Sequence, residues 1–290
     1  MADISIIIPL FNKQEAIAAT IDSVLAQSLD VFEVIIVDDG STDNSRMIVE
    51  SFKDLRISYY FKPNGGVSSA RNYGIPLSKG QYILFLDADD RLTPDCLEVL
   101  WDLHLRYPDA DVLTGNHVSV SEDGSTNLIC RAKVEKVVKN PAKYFWEWKF
   151  MPRTGASIFR KEKVELVKGF DERISIFEDL EFDLKLMNCC KYVYTPKVVY
   201  EHYTQYSELS VKPKPIDKYF PYYIQIKDQS FYQKLILYSV TNSTYYKFKD
   251  FGDEKVCKYL NDNILTKYPL MQFIHFFYSR YIFYLRKYNL

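Results

Sequence analysis

Short apolar runs, rich in β-branched and aromatic residues, constrain the fold of this 290-residue chain more than any other feature. They span Ile4 to Ile8, Val34 to Val37 and Tyr82 to Leu86. Nearly continuous runs of this length are typical of strands that are buried on both faces of a parallel sheet. The chain is therefore expected to build its core around such a sheet.

The segments between these runs have helical patterns. Ile17, Ile21, Val24 and Leu25 recur at helical spacing, and the preceding Asn12 and Glu15 predict a capping box. A turn at 38–43 leads to a second helix and to a further strand over 57–61. This βαβαβ order predicts an α/β fold, doubly wound around a mostly parallel, Rossmann-like sheet.

Pro9, Asp38–Asp39 and the acidic residues at 87–90 fall at the carboxyl ends of the predicted strands. Ligands of doubly wound sheets bind at the carboxyl ends of the strands. Three carboxylates within 87–90 repel one another, and a divalent cation bridged to a substrate diphosphate would relieve that repulsion. The alternative is a solvated acidic turn in which Asp90 or Thr93 caps the next helix.

Six segments between Ile4 and about Ser210 carry a resemblance to a known family. They are I-I-I-P-L-F-N-K at 6–13, I-I-V-D-D-G-S-T-D at 35–43, N-G-G-V-S-S-A-R-N-Y-G-I at 64–75, G-Q-Y-I-L-F-L-D-A-D-D at 80–90, G-F-D-E at 169–172 and F-E-D-L-E-F at 177–182. In this order the chain resembles the inverting GT-A glycosyltransferases of family 2, of the bacterial surface-glycan type. Neither a dinucleotide fingerprint nor a P-loop competes with them.

The resemblance implies a nucleotide site. Pro9 and Phe11 would line the base pocket, Asp39 would accept a hydrogen bond from the base imide, and Arg71 would contact the nucleotide. Taken singly, Phe11 could instead be a core residue, Asp39 a turn former and Arg71 a partner for a surface carboxylate.

The same resemblance implies a metal site. Asp87 would meet the ribose hydroxyls, and Asp89 would bind the Mn²⁺ or Mg²⁺ that bridges the diphosphate. Family members often carry a histidine after the last strand; here only His202 can take that part, out of register, and its alternative is a packing or surface role.

The second half supplies the expected catalytic base. The resemblance implies that Asp179 deprotonates the acceptor hydroxyl, while Glu178 orients the acceptor or the loop. The alternative is that both are merely favourable acids in the first turn of a helix. That helix is predicted to bury the face bearing Phe177, Leu180, Leu184 and Met187.

Charge and composition change near residue 210. Residues 211–290 hold 13 Lys and Arg against 6 Asp and Glu, with 13 Tyr and 8 Phe. The segment Lys212 to Pro215 predicts a linker, so we expect a catalytic domain over 1–215 and an aromatic, basic helical extension over 216–290. Its apolar face from Leu270 to Tyr288 predicts an interfacial helix on anionic lipid; a packed helical cap or a dimer contact is the alternative.

Together these features predict a metal-dependent, inverting glycosyltransferase. It would transfer a hexose or N-acetylhexosamine from a nucleotide diphosphate sugar to a hydroxyl of a surface glycan, free or lipid-linked. The expected donor is a UDP-sugar. A nucleotidyltransferase would need a glycine-rich loop that 9–13 lacks, and a non-catalytic sugar-nucleotide-binding protein is the other alternative.

Cysteine usage and the N-terminus bear on location. Five cysteines without C-x-x-C spacing indicate reduced thiols, and the chain begins directly with a strand rather than a signal peptide. We therefore expect a cytoplasmic protein, peripheral on the inner face of the plasma membrane. A homodimer is compatible with this interpretation, and no nucleic-acid partner is expected.

Overall fold

The structure is a computed structural model that describes residues 3–206, 213–227 and 229–276. It divides into two compact units, residues 1–208 and 209–290. The strands of the first unit are β1 Ile4–Leu10, β2 Phe32–Asp38, β3 Ile57–Phe61, β4 Tyr82–Phe85, β5 Arg91–Leu92, β6 Val112–Val120, β7 Thr126–Leu128, β8 Lys136–Val138, β9 Ser157–Arg160 and β10 Tyr192–Tyr203. Its helices are α1 Ile17–Leu25, α2 Ser45–Ser51, α3 Val67–Gly74, α4 Cys96–Arg106, α5 Pro141–Trp146, α6 Lys161–Leu166 and α7 Glu178–Met187.

The described strands form one mixed sheet in the order β3-β2-β1-β4-β9-β6-β10-β5, with β7 beside β6 and β8 beside β10. Strands β1 to β4 are mutually parallel, as are β6 and β10, whereas β9 runs antiparallel between β4 and β6. The predicted α/β class and mostly parallel sheet are confirmed.

Two apolar layers cover the sheet, one on each face. Ile6 of β1 and Leu84 of β4 belong to one buried cluster, and their neighbours Ile7 and Phe85 belong to the other. All seven residues of β1 are buried, as its continuous apolar sequence predicts.

Two predicted helix caps differ from the structure. Helix α1 buries Ile17, Ile21 and Val24 as expected, but its N-cap is Ala16 without a side-chain cap, so the predicted capping box is wrong. Asn12 instead has a left-handed backbone, with φ of 49°. Helix α4 follows Asp95 without a side-chain cap, so neither Asp90 nor Thr93 caps it.

Helix α7 forms where it is predicted, but a different face is buried. Leu184 is buried as predicted, but Phe177 is the left-handed N-cap residue, and Phe182 and Leu186 are buried rather than Leu180 and Met187. Phe182 stacks on Phe170 with ring centroids 4.2 Å apart. This packing fixes the start of α7 against the sheet.

The second unit contains α8 Phe231–Asp250 and α9 Glu254–Asn263. A capping box joins Ser230 to Gln233 at the start of α8. In the described part of the chain, no helix has both the length and the apolar character needed to cross a bilayer. The predicted apolar face reaches Leu270 and Phe273, which are exposed, but its remainder after residue 276 lies outside the described residues, as does part of the predicted linker.

A buried histidine in β6 should make the stability of the fold depend on pH. His117 is 1% exposed, and neither ring nitrogen has a partner among the described residues. Burial first, and then the positive charges of Arg153 and His202, lower its pKa from 6.5 to about 3. Between these pH values the unfolded chain therefore binds a proton that the folded chain does not, so stability falls as the pH falls.

We expect the unfolding free energy to fall by about 2 kcal/mol between pH 7 and pH 5 because of His117. His117→Phe removes the titrating group and the unpartnered nitrogens, so its stability should fall less over the same interval, by about that amount. Urea denaturation at both pH values measures the difference. An equal loss in the wild type and the variant would contradict the prediction.

Candidate active site

Loops from several elements meet where the parallel strands end. The chain leaves β1 at Leu10, β2 at Asp38 and β4 at Phe85, so three loops emerge at the same edge of the sheet. Residue 153 lies at the same edge, because β9 is antiparallel and begins there. Ligands of such sheets bind in this position.

Asp39 holds the glycine-rich loop that precedes α3. Its carboxylate lies 2.5 Å from the Lys62 ammonium and accepts the backbone N–H groups of Gly65 at 2.9 Å and Gly66 at 2.7 Å. A carboxylate has about four acceptor positions. Among the contacts that the structure describes, one position on Oδ2 is left for a further donor.

The two residues expected beside Asp39 differ in exposure. Pro9 is buried within β1, where it pairs with Val37 of β2. Phe11 lies one residue beyond the strand and is 44% exposed, so its ring face is accessible for stacking. Whether either residue lines a base pocket stays a prediction.

Arg71 of α3 joins two of the predicted site residues. Its guanidinium binds Asp87 at 2.7 Å and Glu178 at 3.1 Å, and it lies over the Phe170 ring at 5.0 Å. The side chain is only 3% exposed. Arg71 is therefore fixed by carboxylates in this structure, and a direct contact with a nucleotide stays a prediction.

This arrangement changes the acidity of both partners. Burial alone would raise the pKa of Asp87, but the Arg71 guanidinium outweighs it and holds the pKa below its usual value. The pKa of Glu178 is raised, because burial and the neighbouring Asp179 charge outweigh Arg71. Asp87 is thus the carboxylate of this pair that stays ionised most readily.

Asp89 lies in the most crowded part of the acidic turn. Burial and the charges of Asp87 and Asp90 raise its pKa to about 6, against the opposing effect of Lys13. The Lys13 ammonium lies 2.8 Å from the Asp89 carboxylate. A cation therefore already occupies the place next to this carboxylate.

Asp90 is the anchor of the turn and is 1% exposed. It accepts hydrogen bonds from the Tyr200 hydroxyl and from the backbone N–H of Tyr203, the latter at 2.8 Å. The Nδ1 atom of His202 lies 3.2 Å from both of its oxygens, and this contact raises the pKa of His202. Asp90 thus fastens the end of β10 to the acidic turn and holds His202 close to the expected metal site.

Asp179 lies in the first turn of α7, one residue after the residue that Arg71 binds. Its side chain is 36% exposed, and Oδ2 is 3.7 Å from the guanidinium of Arg153. One turn later, Asp183 is buried with Oδ1 unpartnered among the described residues, and burial raises its pKa well above the ordinary value. Asp179 is therefore the accessible carboxylate of this helix start.

The side chains present fit only one kind of metal site. Within residues 3–206, 213–227 and 229–276, no three His, Cys, Asp or Glu side chains are grouped to hold an ion. Mg²⁺ is usually bound by one or two carboxylates, with substrate phosphates completing the shell. Asp89, whose neighbour is already a cation, fits such an ion; the metal roles of Asp89 and His202 stay predictions.

Sequence reasoning missed several residues that the structure places here. Lys13 and Lys62 were given no part in the site, and Asp90 was expected only as a member of the acidic cluster or as a helix cap, not as the anchor of Tyr200 and His202. Arg153 lies outside the quoted motifs, and nothing in its local sequence indicates its approach to Asp179.

The family model described as glycosyl transferase family 2 matches residues 5–166, more than half of the chain. The chain belongs to glycosyl transferase family 2. The matched range includes the loops of Asp39, Arg71 and Asp89 and ends before α7.

Curated relatives agree with this assignment. An uncharacterized glycosyltransferase of Bacillus subtilis, EpsJ, is 33% identical over 189 residues, which are 62% of this chain and 55% of EpsJ. The hyaluronan synthase of Pasteurella multocida is 30% identical over 259 residues, 86% of this chain but 24% of that enzyme. The chain thus spans about half of the first relative and about a quarter of the second.

Solved structures of Staphylococcus aureus TarS share the fold. TarS residues 1–349 in complex with UDP-GlcNAc match with a TM-score of 0.63 at 21% identity, over 83% of this chain and 66% of that one. The complex with UDP gives a TM-score of 0.62 at 20% identity. This likeness confirms the predicted GT-A type of α/β fold.

Replacement by Asn should destabilise the fold at Asp90 much more than at its neighbour Asp89. Asp90→Asn leaves the buried Tyr200 and the partly exposed His202 without a carboxylate, and we expect a loss of about 3 kcal/mol of unfolding free energy. Asp89→Asn should stay within about 1 kcal/mol of wild type, because its ionised form is already disfavoured. Chemical denaturation at pH 7 measures both; equal losses, or a larger loss for Asp89→Asn, would contradict the assignment.

Proposed function

We propose that this chain is a metal-dependent, inverting glycosyltransferase that uses a UDP-sugar as its donor. The observation that carries the proposal is the double contact of Arg71 with Asp87 and Glu178. Asp89 follows Asp87 by two residues and Asp179 follows Glu178 directly, so Arg71 connects the segments that bear the proposed metal ligand and the proposed base.

The donor nucleotide is proposed to bind beside Asp39. The remaining acceptor position on Oδ2 suits the imide N–H of uracil, and the exposed Phe11 ring offers a stacking surface. The TarS structures with UDP and UDP-GlcNAc support a UDP-sugar, and hence a hexose or N-acetylhexosamine.

A divalent cation, Mn²⁺ or Mg²⁺, would offset the charge that develops on the departing diphosphate. Asp89 would hold it, with His202 near enough to take part, and Asp87 would accept hydrogen bonds from the ribose hydroxyls. Arg71 keeps Asp87 ionised and in place. Asp90 anchors the turn that bears Asp87 and Asp89 to the end of β10.

Asp179 is proposed to be the general base. It would take the proton of the acceptor hydroxyl while that oxygen forms a bond to the anomeric carbon. The bond from this carbon to the diphosphate oxygen breaks on the opposite side, and its electron pair leaves with the nucleoside diphosphate, which inverts the configuration. The buried Glu178, paired with Arg71, would position this helix start.

The acceptor is proposed to be a surface glycan, free or lipid-linked, which the extension over 216–290 would bring within reach at the inner face of the plasma membrane. The excess of seven basic residues over 211–290 and the exposed Leu270 and Phe273 support contact with anionic lipid.

Flotation with anionic vesicles at low and high salt tests this contact with lipid. Absence of binding at low salt, or a dimer that is lost when 268–290 are removed, would favour packing or self-association.

A donor panel tests the proposed chemistry. Release of nucleoside diphosphate should be greatest with UDP-sugars, should stop in EDTA, and should return with Mn²⁺. Asp89→Asn should lose the Mn²⁺-dependent part of UDP binding in calorimetry while remaining folded. UDP affinity that is identical with and without EDTA in the wild type would remove the metal from the proposal.

Loss of the general base should affect turnover and not donor affinity. Asp179→Asn should lower turnover by about 10²-fold or more and leave donor affinity nearly unchanged, because the carboxylate acts on the acceptor. Glu165→Gln is the control, since Glu165 of α6 pairs with Lys161 at 3.8 Å and has no part in the proposed site. An active Asp179→Asn enzyme would place the base elsewhere, with Glu178 and Glu181 the next residues to test.

A further inference from the structure

The loop that follows β1 is fastened to the loop that follows β2. The backbone N–H of Asn12 donates to the Ser41 hydroxyl at 3.0 Å, and the Asn12 side chain accepts the N–H of Thr42 at 2.8 Å. The N–H of Lys13 donates to the Ser45 hydroxyl at 2.9 Å. Asn12 takes the left-handed conformation that only a few residue types adopt readily, and the backbone of Lys13 is thereby fixed.

This fixed backbone places the Lys13 ammonium 2.8 Å from Asp89. The two side chains are 22% and 17% exposed, so the pair lies at the rim of the crevice, partly accessible to solvent. The ammonium supplies positive charge where the carboxylates of Asp87, Asp89 and Asp90 converge. Because several hydrogen bonds hold this loop, the position of Lys13 beside Asp89 is fixed by the backbone and is not an incidental surface contact.

The other ion pairs of the acidic turn cannot separate as easily. Arg71 is 3% exposed and serves two carboxylates, and Asp90 is 1% exposed. Separating them would leave an uncompensated charge in the interior. Lys13 instead has a flexible four-carbon stem, and both it and Asp89 keep some access to solvent, so this pair is the more open to exchange.

We propose that Lys13 is the counter-ion of Asp89 before the donor binds, that the divalent cation displaces it, and that the displaced ammonium then meets the diphosphate. The inference rests on the proposed function, because it takes Asp89 as the ligand of that cation. One carboxylate surrounded by acids can be neutralised by either cation, but the two cations repel each other. The departing nucleoside diphosphate carries more negative charge than one divalent cation cancels, so it offers the ammonium a new partner.

The test uses three variants of the full chain. Lys13→Met removes the charge and keeps the length of the side chain, and Lys13→Arg keeps the charge. Lys79→Met is the matched control, because Lys79 pairs with Glu33 at 3.7 Å, is 78% exposed and has no part in the site. Circular dichroism and thermal melting establish that each variant is folded.

Binding of Mn²⁺ without nucleotide is followed by the electron paramagnetic resonance of free Mn²⁺, and binding of UDP in EDTA by calorimetry. Lys13→Met should bind Mn²⁺ about three- to fivefold more tightly and UDP in EDTA about three- to fivefold more weakly, the range expected for a partly exposed ion pair. Lys13→Arg and Lys79→Met should match the wild type. Mn²⁺ binding by Lys13→Met that is no tighter than in the wild type, including no detectable binding by either, overturns the inference.

Asp89→Asn separates this inference from the proposed function. If Asp89→Asn still binds UDP in a Mn²⁺-dependent manner as tightly as wild type, the proposed metal ligand is wrong and the inference falls with it. If Asp89→Asn loses that dependence while Lys13→Met equals the wild type in both titrations, the proposed function stands and the inference about Lys13 alone is wrong.

Discussion

Negative charge concentrated where the parallel strands end is the constraint on which this structure depends. The described acidic side chains here include Asp39, Asp87, Asp89, Asp90, Glu178 and Asp179. Each has a basic side chain within 4 Å. Because a buried carboxylate without a partner costs several kcal/mol, the chain must bring these partners from distant segments. The pairing therefore folds the loops and builds the site at the same time.

The pairs differ in how firmly they are held, and this difference is central to the proposed chemistry. Arg71 and Asp90 are buried and multiply bonded, so they fix the acidic turn, the start of α7 and the end of β10. Lys13 and Asp89 are partly exposed, and we propose that they exchange partners. On that proposal, a donor that arrives with a divalent cation would meet a rigid frame with one exchangeable charge.

Local patterns predicted the elements, and contacts distant in sequence decided the details. The runs at β1, β2 and β4 gave their strands because burial on both faces is visible in composition alone. The capping box failed because Asn12 bonds Thr42, 30 residues away, instead of the helix that follows. The partners of Arg71 lie 16 and 107 residues along the chain, and no local pattern could indicate them. The buried face of α7 shifted to Phe182 because Phe170 packs there.

The central claim is that a divalent cation joins the donor diphosphate to Asp89. A crystal of the full chain with Mn²⁺ and UDP, measured at a wavelength where manganese scatters anomalously, tests it most directly. We expect an anomalous peak about 2.2 Å from an Asp89 oxygen, between that carboxylate and the diphosphate, with the Lys13 ammonium moved to a phosphate oxygen. A peak away from Asp89, or UDP bound with Lys13 still on Asp89 and no metal between them, would contradict it.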